Sequence, residues 1–193
     1  MKKVFVGVLS VGMLFVFCGC GLFMKRYIYE YSMTTASSKD MSFTDDKIDI
    51  VFSIDEQEIN FTLKNKTKDT LKIIWDNATI VLNGKVNKTI HKGVKFINKN
   101  EAQPASTIPP NAEIDDLLIP TEHIFYNNIY NQWDCFGLFP TDNRNSSLFP
   151  DENITKVILN SKGVKFGLYL PIEYQGKIMD YNFEFQIASV KQK

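Results

Sequence analysis

The sequence has few cysteines, no excess of charge of either sign and no glycine-rich phosphate loop. Three cysteines occur among 193 residues, and Cys18 and Cys20 lie near the start of the chain. Cys135 is the one cysteine left in the rest, which excludes an internal disulfide framework. The 22 basic and 22 acidic residues cancel, and without a basic stripe nothing points to a nucleic-acid partner.

The chain begins with a short basic stretch followed by apolar residues. Two lysines precede the apolar run 4–17, which is the order of a secretory signal. An uncleaved membrane anchor is the alternative, because residues 4–23 are long enough to span a bilayer. In both cases the sequence predicts an exported domain that stays tethered to a membrane.

The residues that end this run are Phe17, Cys18, Gly19 and Cys20. They resemble the bacterial lipobox, in which a small residue precedes a cysteine that is acylated and becomes the new N-terminus. The resemblance implies lipidation of Cys20, although Phe17 stands where that family usually has leucine. Gly21 replaces the aspartate that retains some lipoproteins at an inner membrane. The outer membrane or the cell surface is therefore the favoured location within the envelope.

The rest of the chain has the composition of a folded domain. Hydrophobic residues make up 44% and aromatic residues 13% of the sequence, so a sizeable core is expected. Lys25 and Arg26 are interpreted as an ordinary membrane-proximal flank, and small polar residues follow. We expect a signal peptide at 1–19, a membrane-proximal tether at 20–46 and one β-sandwich domain at 47–193.

Residues 57–84 carry the clearest strand signal. Apolar and polar side chains alternate in 59–64 and again in 71–76, the period of two that buries one face of a strand. Asn-Gly at 83–84 is a strong hairpin signal. Trp75, in the second run, is expected to be buried between two sheets.

The last third of the sequence predicts a long hairpin. The same alternation runs through 164–170 and 179–187, on either side of a Gln-Gly turn. Shorter strands are expected at 48–54 and 93–97. The fold class is therefore all-β, and the leading architecture is an immunoglobulin-like antiparallel sandwich of about seven to nine strands.

Three segments of the middle third occur in a characteristic order: NKTKDTLKIIWDNATIVLNG at 65–84, IHKGVKF at 90–96 and STIPPNAEIDDLLIP at 106–120. This order resembles a group of uncharacterised bacterial lipoproteins with a single immunoglobulin-like domain. A weaker likeness, in strand pattern alone, is to the immunoglobulin-like domain of water-stress proteins. The resemblance implies a fold and an envelope location, and it carries no catalytic residues to transfer.

Residues 122–153 break the strand rhythm. They hold seven aromatic side chains among Asn, Asp, Ser and Pro, and Leu-Phe-Pro occurs twice, at 138–140 and 148–150. We expect one long aromatic-rich loop with a short helix at 121–130 as the helix candidate. Loops of this length in compact domains are usually functional or mobile.

Two interpretations of this loop stay open. Trp133, Phe139 and Phe149 could form an exposed platform for a glycan, a peptide or an envelope protein. Alternatively, the rings fold back to close the end of the core, which is favoured because clusters of exposed aromatic side chains are rare.

No set of side chains has the spacing of a catalytic or metal site. His91 and His123 lack ligand-spaced neighbours and are expected to be hydrogen-bonded structural residues. Cys135 lacks the motifs that would activate a thiol and is expected to be a small buried side chain. Asp115 and Asp116 are neighbours in a strand and should face opposite sides. We therefore expect no catalytic residue, no metal and no cofactor.

These observations favour a membrane-tethered, non-enzymatic envelope lipoprotein that acts as a structural or protein-interaction module. The alternative is a ligand-binding lipoprotein that uses the aromatic loop 122–153 for a glycan or peptide. An enzyme is the third possibility.

Overall fold

A computed structural model describes residues 27–35, 40–141 and 152–192. These residues form thirteen β-strands, one α-helix and three short 3₁₀ helices. The elements are β1 (Tyr27–Met33), β2 (Ser42–Thr44), β3 (Ile48–Ile54), β4 (Ile59–Asn65), β5 (Leu71–Ile73), β6 (Thr79–Leu82), β7 (Lys85–His91), β8 (Ser106–Ile108), β9 (Glu113–Pro120), β10 (Ile124–Asn127), β11 (Gln132–Cys135), α1 (Glu152–Leu159), β12 (Lys165–Tyr174) and β13 (Lys177–Gln192).

Eleven strands belong to one continuous sheet. Its order is β1-β13-β12-β6-β7-β9-β4-β3-β2, with β5 paired to β12 and β8 paired to β5. β7 joins two halves of the sheet, β1-β13-β12-β6 and β9-β4-β3-β2. Its residues 85–88 pair with β6 and its residues 89–91 pair with β9. β10 and β11 form a separate two-stranded sheet. All of these pairings are antiparallel.

The long sheet folds over on itself around an aromatic core. Phe52 of β3 contacts Phe183 and Phe185 of β13, with ring centroids 4.8 and 5.1 Å apart. These strands lie near opposite ends of the strand order, so the two halves of the sheet face each other. Phe43 of β2 also reaches Phe183, at 5.6 Å, and the strand path is nearly closed.

The all-β prediction is confirmed, and the strands outnumber the seven to nine expected. Several of them, such as β2, β5 and β8, have only three residues. A strand that short is too brief to display the alternation by which strands are recognised in a sequence.

The two strongest hairpin predictions are confirmed. β12 and β13 pair along the whole of β12, and their turn has φ 49° at Gln175 and 75° at Gly176. Asn83 and Gly84 between β6 and β7 have φ 51° and 75°. Two successive residues with positive φ are what a tight two-residue hairpin turn requires.

Trp75 is buried, as predicted, but it does not lie in a strand. β5 ends at Ile73, and Trp75–Asn77 is a 3₁₀ helix. The indole is 1% exposed and its Nε1 donates to Ser106 Oγ at 2.8 Å. The strand expected over 71–76 is therefore shorter, and the tryptophan enters the core from the turn that follows it.

Part of the predicted tether belongs to the sheet. β1 pairs with β13 along its length and Tyr27 is 1% exposed, while β2 pairs with β3. The boundary placed at residue 47 is corrected for these two strands. Alternating tyrosines in β1 hint at a strand, but the partner lies at the far end of the chain and local sequence cannot reveal it.

Two further expectations were wrong. Residues 93–97 form a turn that leads into the 3₁₀ helix Phe96–Asn98, because Gly93 has φ 91° and turns the chain out of the extended conformation. The helix expected at 121–130 is a 3₁₀ turn followed by β10, where β-branched and aromatic residues favour a strand. The α-helix is α1, with Ile158 fully buried.

Candidate functional site: an aromatic hairpin

The first half of the predicted loop is an ordered β-hairpin. After β9 the chain makes a 3₁₀ turn and forms β10 and β11, which pair from Ile124 and Cys135 at the base to Asn127 and Gln132 near the tip. We call residues 124–136 the aromatic hairpin. It carries Phe125, Tyr126, Ile129, Tyr130, Trp133 and Phe136.

The tip is shaped by asparagine side chains. Asn127 Oδ1 accepts hydrogen bonds from the backbone N–H groups of Ile129 at 3.1 Å and Tyr130 at 3.3 Å. Tyr126 Oη donates to Asn131 Oδ1 at 2.5 Å, and Asn131 has φ 52°. Ile129 and Tyr130 are thereby presented to solvent, 87% and 71% exposed. Such local bonds order the turn without using the side chains at its apex.

One face of the aromatic hairpin covers a small second core. Ile124 and Cys135 are buried there against Ile90 and Ile119 of the main sheet, and Trp133 is partly buried at its edge. Val94 and Phe96 pack from the loop that follows β7. The hairpin is therefore seated on the outer surface of β7 and β9.

The other face carries a stacked pair of rings. Phe125 and Phe136 lie with centroids 4.2 Å apart and planes 19° from parallel, and Phe136 is 59% exposed. Tyr126 meets Trp133 edge-on at 5.5 Å on the first face and is 42% exposed. Apolar surface is therefore available on both faces and at the tip.

The base of the aromatic hairpin is clamped to the body of the protein. Gln57 Nε2 donates to the Cys135 carbonyl at 2.9 Å, and the Leu138 N–H donates to the Glu56 carbonyl at 2.7 Å. A Cβ at Gly137 would come 2.9 Å from the Phe139 carbonyl and 3.1 Å from that of Glu56. The close approach of these backbones therefore requires glycine.

The three predicted ligand-binding residues have different environments. Trp133 belongs to the aromatic hairpin and is partly buried. Phe139 is 6% exposed and packs against Tyr29 and Phe166, with centroids 5.7 and 5.2 Å apart. Phe149 lies outside the described residues. Phe139 is therefore a core residue, which removes it from any exposed platform.

Local sequence does not identify Ile129, Tyr130 and Phe136 as surface residues. A strand signal is nevertheless present on both sides of the turn. Ile124 and Tyr126 lie two residues apart and share one face of a strand, as do Trp133 and Cys135. The connecting residues, 128–131, have the sequence Asn-Ile-Tyr-Asn and lack the Asn-Gly pair by which a tight hairpin turn is recognised in a sequence.

Cys135 and His123 lie at the base of the hairpin, and burial shifts the pKa of each side chain. Burial raises the pKa of the Cys135 thiol to about 11, which disfavours the nucleophilic thiolate. Burial lowers the pKa of the His123 imidazole, and its buried Nδ1 has no hydrogen-bond partner in the described part of the chain. This pair gives no support for thiol catalysis.

His91 and Asp116 form a second polar pair. His91 Nδ1 lies 3.3 Å from Asp116 Oδ2, and Asp116 Oδ1 accepts the N–H groups of Lys92 and Leu117 at 2.8 Å each. Asp116 is buried and Asp115 is exposed on the opposite face, as predicted. Both oxygens of the buried Asp116 carboxylate therefore have polar partners at the edge of the core.

A shallow depression of about 270 Å³ lies on the outer face of β3, β4 and β9. Ser53, Asn60, Lys92 and Asp115 line it, together with apolar residues. The Asp115 carboxylate already accepts the Thr62 hydroxyl at 2.5 Å. The depression lacks the exposed rings of the aromatic hairpin, which is the stronger candidate surface.

Among the residues that the structure describes, no cluster of three or more His, Cys, Asp or Glu side chains is arranged to hold a metal ion. None of the helices in these residues has the length and apolar character needed to cross a membrane. The predicted signal peptide and Cys20 lie outside the described residues.

No protein-family model and no curated protein matches the chain. Among solved structures, a crystal structure of a protein from Archaeoglobus fulgidus aligns with 88% of this chain and 94% of its own, at 10% sequence identity and a TM-score of 0.30. A likeness this low carries no argument about fold or function.

Proposed function

We propose that this protein is a lipid-anchored module of the bacterial envelope that acts by surface contact rather than by catalysis. Cys20 carries the lipid, and the domain is exported. The observation that supports contact is the aromatic hairpin, which keeps Ile129, Tyr130 and Phe136 exposed on a clamped base. A group of exposed large apolar side chains on one hairpin is typical of interaction sites.

The buried reactive groups also favour contact over chemistry. The Cys135 thiol has a raised pKa and is 8% exposed, so little thiolate is available at neutral pH. His91 is stacked on Trp75 and paired with Asp116. These groups are engaged in packing and in internal hydrogen bonds.

Within this proposal the domain is an immunoglobulin-like sandwich. The facing of Phe52 and Phe183 across the core supports two opposed layers. β7 crosses between them, since it pairs with β6 in one layer and with β9 in the other. Loops and hairpins at the ends of such sandwiches are the usual recognition elements.

A second candidate function is binding of a glycan or a peptide at the same hairpin. Tyr130 is 71% exposed, and the exposed Asn128 and Gln132 lie on either side of it in the chain. Rings beside amide groups can combine stacking with hydrogen bonding to a sugar or a peptide. Phe139 takes no part in this version because it is buried.

Metabolic labelling with a fatty-acid analogue tests the anchor. We expect the wild type and Cys18→Ser, a matched control inside the leader, to be labelled and to sediment with membranes. Cys20→Ser should lose the label. Equal labelling of Cys20→Ser and the wild type would refute lipidation at Cys20 and, with it, the proposed lipoprotein.

A further inference from the structure

We propose that the aromatic hairpin docks on the lipid surface to which the chain is tethered, with Ile129 and Tyr130 at the level of the headgroups. The inference rests on the proposed function, because it takes Cys20 as the membrane anchor. It names a bilayer as the contact surface of the hairpin, and it fixes which end of the domain faces the membrane.

The start of β1 and the base of the hairpin lie at the same end of the domain. The Tyr27 N–H donates to the Thr141 carbonyl at 2.8 Å. Thr141 follows Cys135 by six residues, which span at most about 20 Å. Tyr29 Oη donates to the Pro140 carbonyl along the same connection. The chain therefore enters the fold within about 20 Å of the base of the hairpin.

The distance from the anchor to the fold is short. Six residues lie between Cys20 and Tyr27, so the seven Cα–Cα steps that join the two span at most about 25 Å even when the chain is fully extended. The intervening sequence, GLFMKR at 21–26, places three apolar residues before two basic ones. That order suits a chain that leaves the apolar part of a membrane through its headgroups. The end of the domain that holds Tyr27 is thus kept close to the lipid.

The chemistry of the hairpin suits a membrane interface. Four of the eleven large apolar side chains exposed in the described residues belong to it: Tyr126, Ile129, Tyr130 and Phe136. Ile97, which is 65% exposed, adds to this apolar surface. Its neighbour Phe96 packs against the second core, and so does Trp133. Tyrosine and tryptophan are enriched at membrane interfaces because their rings are apolar and their hydrogen-bonding groups stay wet.

Charge does not decide the contact. The loop at 92–101 carries three lysines and one glutamate, while residues 121–136 carry Glu122 and Asp134. These charges cancel, so the contact is apolar rather than electrostatic. We therefore expect docking to depend little on salt or on the fraction of anionic lipid.

Tryptophan scanning of the full, lipidated chain in vesicles tests this contact. Tyr130→Trp places a probe at the hairpin tip. Ile178→Trp is the matched control, because Ile178 is 54% exposed. Tyr27 pairs with Gln192 at the other end of β13, which is about 45 Å from Ile178 along the strand. Trp75 and Trp133 are common to both variants.

The measurement compares emission in vesicles of ordinary phosphatidylcholine with emission in vesicles whose acyl chains are brominated near the headgroup. We expect the brominated lipid to quench the probe at 130 and to leave the probe at 178 at the level of the wild type. Docking would be refuted if the probe at 130 were quenched no more than the probe at 178. Burial of the tip by a second copy or by another protein would also give that result.

Flotation of the same vesicles separates this inference from the proposed function. If the protein floats with the vesicles but the probe at 130 is not quenched, the anchor stands and docking fails. If wild type and Cys20→Ser both fail to float, the anchor fails and the proposed function falls with it. Unfolding curves of both tryptophan variants, matched to the wild type, ensure that the native fold is compared.

Discussion

The indole of Trp75 lies flat on the imidazole of His91, with ring centroids 4.3 Å apart and planes 6° from parallel. A hydrogen bond fixes each ring from outside the stack. Trp75 Nε1 donates to Ser106 Oγ at 2.8 Å, and His91 Nδ1 lies 3.3 Å from Asp116 Oδ2. The stack therefore ties the turn after β5 to β7, β8 and β9, which come from both halves of the folded sheet.

Removal of this stack should destabilise the whole domain. We expect Trp75→Ala to lower the free energy of unfolding by about 3–5 kcal/mol, as large-to-small changes of buried aromatic residues do. Urea unfolding followed by far-UV circular dichroism measures the change. Ser106→Ala, which removes only the hydrogen bond, should cost about 1 kcal/mol. An unchanged midpoint for Trp75→Ala would mean that the indole is not a core residue.

His123 should make stability depend on pH. Burial holds the pKa of its imidazole below the ordinary value of 6.5, and this outweighs the opposite influences of a backbone hydrogen bond at Gly137 and of the Glu122 carboxylate. Below that value the unfolded chain binds a proton that the folded chain resists, so stability falls as the pH falls through it and is fully present above it. We expect a lower Tm at about pH 5 than at about pH 7.5.

His123→Gln is the variant that isolates this effect. Glutamine cannot be protonated, so the difference in Tm between the two pH values should shrink. His91 is present in both proteins, so its contribution cancels in the comparison. An equal pH dependence in the variant and the wild type would show that His123 is not the group responsible.

Cys135 should be unreactive in the native protein. Its thiol is 8% exposed, and burial raises its pKa to about 11. We expect a thiol reagent at neutral pH to modify Cys135 slowly in the folded chain and rapidly in denaturant. Cys135→Ala should lower the free energy of unfolding by about 1 kcal/mol. Rapid modification of the folded protein would instead point to an exposed, activated thiol.

Local sequence predicts the elements whose causes are local. Asn83-Gly84 and Gln175-Gly176 favour the backbone angles that their turns require, and alternation in β3, β4, β12 and β13 identifies the buried faces. The same alternation predicts that Trp75 is buried, although the residue lies in the 3₁₀ helix after β5 rather than in a strand. The pairing of β1 with β13, by contrast, joins residues at opposite ends of the chain. The local pattern of neither strand indicates which strand it pairs with.

The candidate site likewise combines features that local sequence predicts with features that depend on distant strands. The sequence identifies the aromatic region and includes Trp133, but it cannot distinguish Phe136 from Phe139, which are three residues apart. Phe139 is buried by Tyr29 and Phe166, which come from β1 and β12. The exposure of each ring therefore depends on distant strands rather than on its own neighbours.

The contrast between Phe136 and Phe139 provides the last prediction. Phe139 is 6% exposed within the core, whereas Phe136 is 59% exposed and touches the ring of Phe125. Phe139→Ala should therefore lower the free energy of unfolding by about 3–5 kcal/mol. Phe136→Ala should cost about 1 kcal/mol or less, since it loses one ring pair at the surface. Chemical unfolding of the two variants in parallel measures both changes.

The two substitutions remove the same side chain, so differences in composition and in the unfolded state largely cancel. Equal and small losses would mean that both rings are exposed, which would restore Phe139 as a candidate for the platform with Trp133. Equal and large losses would mean that Phe136 is also a core residue. That result would weaken the contact function, because Phe136 provides the exposed ring at the base of the aromatic hairpin while Ile129 and Tyr130 provide only its tip.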